Sequence, residues 1–89
     1  MRAVITVIGR DTVGIIAGVS NILSGYGINI LEISQSVLED LFAMVMLADI
    51  SNSKVDFMRL TKELQGAGEK LGMKIHVMHE DIFNSMHRV

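Results

Sequence analysis

Residues 41–48 are apolar at every position, and this run limits what the chain can fold into more than any other feature. An apolar run of this length between turn signals is typical of a strand that is buried on both faces. Glu39-Asp40 precedes the run and is suitable for a tight hairpin turn, and Asp49 ends it. With 89 residues the chain is short enough for one domain, so we expect this strand near the centre of a single sheet.

The residues on either side of this run predict the other elements. Strand patterns occupy 3–8, 28–38, 41–48 and 73–78. Two stretches repeat apolar side chains at helical spacing, one through Ile15, Val19, Ile22 and Tyr26, the other through Phe57, Leu60, Leu64, Ala67 and Leu71. Gly14 and Gly18 lie four residues apart on the first of these helices, so we expect that helix to approach the sheet closely there.

The order of these elements predicts an α+β fold, a ferredoxin-like βαββαβ sandwich. The first and third strands are apolar at nearly every position, as central strands are, whereas the second and fourth are mixed, as edge strands are. The antiparallel sheet order is therefore predicted to be 4-1-3-2. Residues 1–80 would form this domain, and residues 81–89 a short C-terminal helical tail, since Ile82, Phe83, Met86 and Val89 share a helix face.

Two helices can cover only one face of such a sheet, yet the third strand is apolar on both. One face would carry Leu41, Ala43, Val45 and Leu47, and the other Phe42, Met44, Met46 and Ala48. One of these rows would be exposed in a monomer, and exposed contiguous apolar surface usually marks an interface. We therefore expect a homodimer with twofold symmetry, the commonest closed arrangement.

The composition excludes several classes of function. The chain has no cysteine, which rules out disulfides, thiolate metal sites and thiol catalysis. Its net charge of −2 gives no basic surface for nucleic acid or for an anionic membrane. We expect no cofactor. No basic, apolar and small-residue sequence typical of a secretion signal is visible, so a cytoplasmic location is expected by default.

Residues 12–31 contain no charged side chain and would be long enough to span a bilayer as a helix. Ser20, Asn21, Ser24 and Asn29 give this stretch a polar load, and Gly25-Tyr26-Gly27 interrupts it. A helix that stops at these glycines and is followed by a new strand explains the pattern better than a membrane span.

The histidines do not predict a metal site. His76 and His79 are three residues apart, so on a strand they face opposite sides of the sheet. His79, Glu80, Asp81 and His87 would converge only if the tail folded back. No pair has the helix spacing of a zinc motif, and we expect no metal.

The turn at 9–14, between a strand and the start of a helix, is the most informative candidate site. Unpaired N–H groups at a helix N-terminus suit a carboxylate or a phosphate. Asp11 could cap the helix, as could Thr12, or Asp11 could bind an ammonium group, and Asn29 could reach the same region with a donor and an acceptor. Alternatively, Gly9 only permits the turn, Asp11 is only a cap and Asn29 is only a turn residue.

The segments Gly9-Arg10-Asp11-Thr12-Val13-Gly14-Ile15-Ile16 and Leu23-Ser24-Gly25-Tyr26-Gly27-Ile28-Asn29-Ile30 resemble the signature of ACT domains. The order of elements is similar over residues 2 to about 80, and the chain looks closest to small stand-alone bacterial and archaeal members without a fused catalytic domain.

The resemblance implies that a small ligand, an amino acid, binds at a dimer interface, between the first loop of one subunit and the start of the second strand of another. The ligand-binding residues it implies are Gly9, Arg10, Asp11, Thr12, Val13, Gly14, Asn29 and Ile30. Gly9 departs from members that have a polar side chain such as histidine there, which removes one hydrogen-bonding group from serine-type recognition.

Enzymes and other binding proteins of this topology need residues that the chain lacks. The arginine-bearing phosphate loop of acylphosphatases is not visible, the first strand has no aromatic for stacking RNA bases, and metal chaperones use paired cysteines. We therefore expect no catalytic residue. The remaining hypotheses are a ligand-binding regulatory homodimer, which would act on an unidentified protein partner, and an interaction or assembly module without a ligand.

Overall fold

The computed structural model describes residues 1–10 and 14–86. The strands are β1 (Arg2–Arg10), β2 (Asn29–Leu38), β3 (Leu41–Asp49) and β4 (Met73–His79). The helices are α1 (Ile15–Gly25), α2 (Phe57–Lys70) and α3 (Glu80–Met86). This order confirms the ferredoxin-like βαββαβ prediction and the short C-terminal helix. β1 continues to Arg10, two residues beyond the predicted strand, because Gly9 pairs with both neighbouring strands.

The four strands form one antiparallel sheet in the order β2-β3-β1-β4, which confirms the predicted order. Arg2 pairs with Asp49 at one end of β1 and Arg10 pairs with Leu41 at the other. The register of β2 against β3 shifts between Ile30 and Glu32, so Leu31 is the extra residue of a β-bulge.

The hydrophobic core lies between the sheet and the two longer helices. Its sheet side comes from alternate residues of the central strands, and its helix side from the buried residues of α1 and α2. The core strand residues are Ala3, Ile5, Val7, Phe42, Met44, Met46, Ala48, Met73 and Ile75, and the core helix residues are Ile15, Val19, Leu23, Leu60 and Leu64.

The opposite face of the sheet, which we call the open face, carries the residues between these positions. By register it comprises Arg2, Val4, Thr6, Ile8 and Arg10 of β1, Asn29, Glu32, Ser34, Ser36 and Leu38 of β2, Leu41, Ala43, Val45, Leu47 and Asp49 of β3, and Lys74, His76 and Met78 of β4. Leu41 and Val45 are exposed and Ala43 and Leu47 are half-buried, whereas Phe42 and Met44 are buried. The prediction that one apolar row of β3 has no helix cover is therefore confirmed.

The prediction that α1 approaches the sheet closely at Gly14 and Gly18 is wrong, and the close approach is made by α2. A Cβ added at Gly18 would have nothing within 4 Å. A Cβ at Gly68 in α2 would lie 2.8 Å from Ile75 Cγ1 and 2.9 Å from the Met73 carbonyl oxygen. Gly14 has another role, because it precedes α1 with a φ of 91°, in the left-handed region that glycine adopts without strain.

The uncharged stretch at 12–31 contains the end of α1 at Gly25 and the start of β2 at Asn29, as the helix-then-strand interpretation predicts. Within residues 1–10 and 14–86, none of the helices has the length and apolar character needed to cross a membrane.

Candidate functional site

The predicted site begins where β1 ends. Arg10 is the last residue of β1 and lies within 3.8 Å of Asp40 through its Nε. The next described residue is Gly14, which is the N-cap of α1 and whose carbonyl accepts a hydrogen bond of 2.8 Å from the Gly18 N–H. The prediction that Asp11 or Thr12 is the cap residue is therefore wrong, since the helix begins one residue after Gly14.

Three of the predicted ligand-binding residues, Asp11, Thr12 and Val13, lie outside the described residues. Their neighbours fix where the segment starts and ends, namely at the Arg10 end of the sheet and at the first turn of α1. The first turn of α1 contains no acidic residue, and Gly14 offers no side chain to its N–H groups. These donors suit an anionic group of a ligand.

Gly9 is fixed by packing rather than by the turn. It lies within β1, opposite Phe42 and Met73. A Cβ at this position would overlap Met73 Sδ and would lie 3.2 Å from the Gly72 carbonyl oxygen. A side chain at position 9 would therefore require the Met73 side chain to move and would lie tightly against the backbone at the start of β4.

Asn29 and Ile30 lie at the opposite end of the sheet from this turn. β1 and β2 are both antiparallel to β3, so they run parallel, and the turn follows the end of β1 whereas Asn29 begins β2. Asn29 pairs with Asp49, which pairs with Arg2, eight residues before Arg10. At about 3.3 Å per residue the two halves are about 26 Å apart, so the expectation that Asn29 reaches the turn of its own chain is wrong.

Asp49 is the residue beside Asn29 that the sequence analysis missed. Its Oδ1 accepts a hydrogen bond of 2.9 Å from the Ser51 N–H, and the N-terminal ammonium donates to Ser51 Oγ at 2.7 Å. Hydrogen bonds from the Ser51 backbone and side chain hold the pKa of Asp49 below its usual range. The start of β2 therefore combines the Asn29 amide with a carboxylate that is ionised at neutral pH. In the sequence, the available signal for this carboxylate is the pair Asp49 and Ser51, two residues apart directly after the apolar run.

Replacing Ser51 by alanine is expected to raise the pKa of Asp49 toward its usual value, because the hydroxyl hydrogen bond is lost. The folded-state pKa of Asp49 lies below the unfolded one, so the ionised carboxylate favours folding above the unfolded pKa. This contribution disappears as the pH falls through the folded pKa. NMR titration of the Asp49 carboxyl in Ser51→Ala would measure the change. Ser24→Ala, an exposed serine of α1, should leave it unaltered.

β2 is the exposed edge of the sheet, and residues 31–38 are all exposed. Ile33 and Val37 are 40% and 56% exposed, although they share the helix-covered face with Met46 and Phe42. A long edge strand with uncovered apolar side chains is a ready template for another strand.

A hollow of about 660 Å³ lies elsewhere, along α2 and beside Ile22 of α1. It is an open groove, and of the predicted ligand-binding residues that the structure describes, none lines it. Within the described part of the chain no three His, Asp or Glu side chains are close enough to hold a metal ion. His79 instead stacks on Phe57, with ring centroids 4.4 Å apart.

Comparison with known proteins identifies the class to which this fold and site correspond. A family model of the ACT domain matches residues 2–78. The chain belongs to the ACT domain family, whose members are regulatory domains that generally bind small ligands.

Its relatives are proteins of the same size. A UPF0237 protein of Methanocaldococcus jannaschii is 57% identical over 88 residues, which cover 99% of this chain and 98% of that protein. A UPF0237 protein of Listeria innocua is 51% identical over 89 residues, with both chains fully covered. The solved ACT domain protein from Streptococcus pneumoniae is 42% identical and covers 93% of each chain, with a TM-score of 0.81. The resemblance to small ACT proteins is thus confirmed.

Proposed function

We propose that this chain is a regulatory domain that binds an amino acid as a homodimer and acts in the cytoplasm on a separate protein partner. Each ligand site would be formed by two copies. The observation that carries the proposal is the separation of about 26 Å along the strands between Arg10, where β1 ends, and Asn29, where β2 begins.

A twofold axis beside β2 would bring the two halves to the same end of a continuous sheet. If β2 pairs antiparallel with β2 of a second copy, the start of one strand lies beside the end of the other. Asn29 of the second copy then lies beyond Leu38, at the end of the sheet where the first copy has the turn after β1. The exposed apolar side chains of β2 would supply the contact.

The chemistry of the two halves is complementary to an amino acid. The N–H groups at the start of α1, together with the exposed Arg10, suit the carboxylate of the ligand. Asn29 provides both a donor and an acceptor, and the ionised Asp49 beside it favours an ammonium group. The proposed ligand-binding residues remain Gly9 to Gly14, Asn29 and Ile30, with Asp49 added.

A thermal-shift panel of amino acids would test this function. A ligand at about 100 times its dissociation constant stabilises the folded state by about 2.7 kcal/mol, which for a domain of this size raises the Tm by roughly 10 °C. We expect one ligand class to give such a shift, and Asn29→Ala to abolish it without changing the oligomeric state.

Asn21→Ala is the matched control, because Asn21 is an exposed asparagine on α1 and is not among the proposed ligand-binding residues. It should keep the full ligand shift. If no amino acid changes the Tm, or if Asn29→Ala retains the shift, the proposed site is wrong. The interaction module without a ligand would then be the better description.

A further inference from the structure

α3 covers only one end of the open face. It packs against β1 and β4, and Glu80 at its start forms an ion pair with Arg2 on that face. Val4 and Ile8 lie on the same face of the same strand, yet Val4 is 4% exposed and Ile8 is 42% exposed. Val4 is also absent from the core that α1 and α2 cover, and it lies on the strand against which α3 packs. The Ile8 end of the open face is left without cover.

The outer side of α3 is itself apolar and uncovered. Ile82 is 54% exposed and Met86 is 67% exposed, whereas Phe83 between them is half-buried. Asp81, in the first turn of the same helix, is also exposed. A short helix with two large exposed apolar side chains and an acidic first turn is an unusual surface for one chain to leave in water.

The uncovered end of the open face has the opposite charge. Ile8 pairs with Lys74, so an exposed apolar side chain lies beside a positively charged residue of β4, and the neighbouring Thr6 pairs with His76. An apolar, acidic helix and an apolar, basic half-face are complementary in chemistry, and they lie at opposite ends of the same strands. A copy turned end for end would therefore present each feature to its complement.

We propose that a second copy of this chain docks on the open face, related by a twofold axis that lies in the plane between the sheets and runs across the strands. This axis places the Val4 end of one sheet over the Ile8 end of the other. Each α3 then covers the half-face that the other copy leaves open, with Ile82 and Met86 against Ile8. Asp81 would face Lys74 and His76.

The shape of the molecule allows an interface of sufficient size. The Cα positions extend over 35 × 35 × 19 Å, so the faces of the sheet are the broad surfaces of a slab. A stable interface buries about 800 Å² per partner, which is about one seventh of the 5875 Å² surface of this chain. The position of α3 at one end of the open face also determines the direction of the twofold axis. An axis along the strands would place the two Ile8 ends against each other and leave both without a helix.

This interface goes beyond the proposed function and does not depend on it. The β2 edge pairing has its axis perpendicular to the sheet, whereas the face pairing has its axis in the plane between the sheets. Two perpendicular twofold axes close into a tetramer with 222 symmetry. The proposal therefore expects a tetramer if both interfaces form, and a face-to-face dimer if only this one does.

Charge reversal at the predicted contact provides the test, with mass measured by sedimentation or light scattering over a range of concentrations. Lys74→Glu and Asp81→Lys, each on an exposed residue, should each weaken the face association at least about tenfold. The double variant should recover it, which a change in folding alone would not produce. Lys62→Glu, an exposed lysine on α2, is the control and should leave the mass unchanged.

Ile82→Glu should abolish the association of the two copies through the open face. Circular dichroism would check that the variant is folded. Val37→Lys, on the β2 edge, separates this proposal from the proposed function. If the edge pairing is absent, the face variants convert a dimer to monomers and Val37→Lys has no effect. A wild-type mass that Lys74→Glu, Asp81→Lys and Ile82→Glu all leave unchanged would overturn the face contact. So would a failure of the double variant to recover association.

Discussion

Gly68→Ala is expected to lower the stability of the fold by about 1–2 kcal/mol, although alanine is the better helix former. A Cβ at this position meets Ile75 Cγ1 at 2.8 Å and the Met73 carbonyl oxygen at 2.9 Å. The carbonyl belongs to the backbone of β4 and cannot rotate away as a side chain would. α2 would have to move off the sheet, which disturbs the packing of Leu64 and the rest of the core around it.

Gly66→Ala is the matched control, since Gly66 lies in the same helix and its Cβ would have nothing within 4 Å. Here only the helix propensity acts, and we expect a gain of about 0.5–1 kcal/mol. Thermal unfolding at one protein concentration should separate the two variants by roughly 10 °C or more. Equal effects of the two substitutions would contradict the close approach of α2 to β4.

The pair also shows why the sequence pattern predicts the close approach in α1 and not in α2. Gly14 and Gly18 have the four-residue spacing of a helix face, whereas Gly66 and Gly68 do not. Spacing alone does not give the rotation of a helix about its axis, and this rotation decides which glycine faces the sheet. The order of strands was predictable because residues 3–8 and 41–48 are apolar at nearly every position, as central strands are, whereas 28–38 and 73–78 are mixed, as edge strands are.

The separation of the two site halves was implicit in the predicted strand order. In the order 4-1-3-2 the first and second strands lie on either side of the third. Because each is antiparallel to the third strand, the two run parallel to each other. The turn after β1 and the start of β2 then lie at opposite ends. In contrast, the packing of α3 against β1 depends on where the last helix turns after His79, which no local pattern encodes.

Gln35→Cys is expected to produce a covalent dimer under mild oxidation, because the proposed pairing of β2 strands places this residue opposite its own copy. Gln35 shares a face with Ile33 and Val37. A twofold axis beside Gln35 places Ile33 of each copy opposite Val37 of the other. The two resulting contacts cover the exposed apolar side chains of this face. Opposite residues of antiparallel strands have Cα atoms about 4.5–5.5 Å apart, within the range of a disulfide.

The chain has no cysteine of its own, so any disulfide in this variant joins two molecules. Gln65→Cys is the control, since Gln65 is an exposed glutamine on α2 and has no place in the pairing. Non-reducing electrophoresis should show nearly complete dimer for Gln35→Cys and little for Gln65→Cys. Val37→Lys, added to Gln35→Cys, should suppress the disulfide, because it places a charged lysine opposite Ile33 in both of the apolar pairs. If both cysteine variants cross-link equally, the disulfide reflects collision rather than a paired edge, and the two-copy ligand site loses its support.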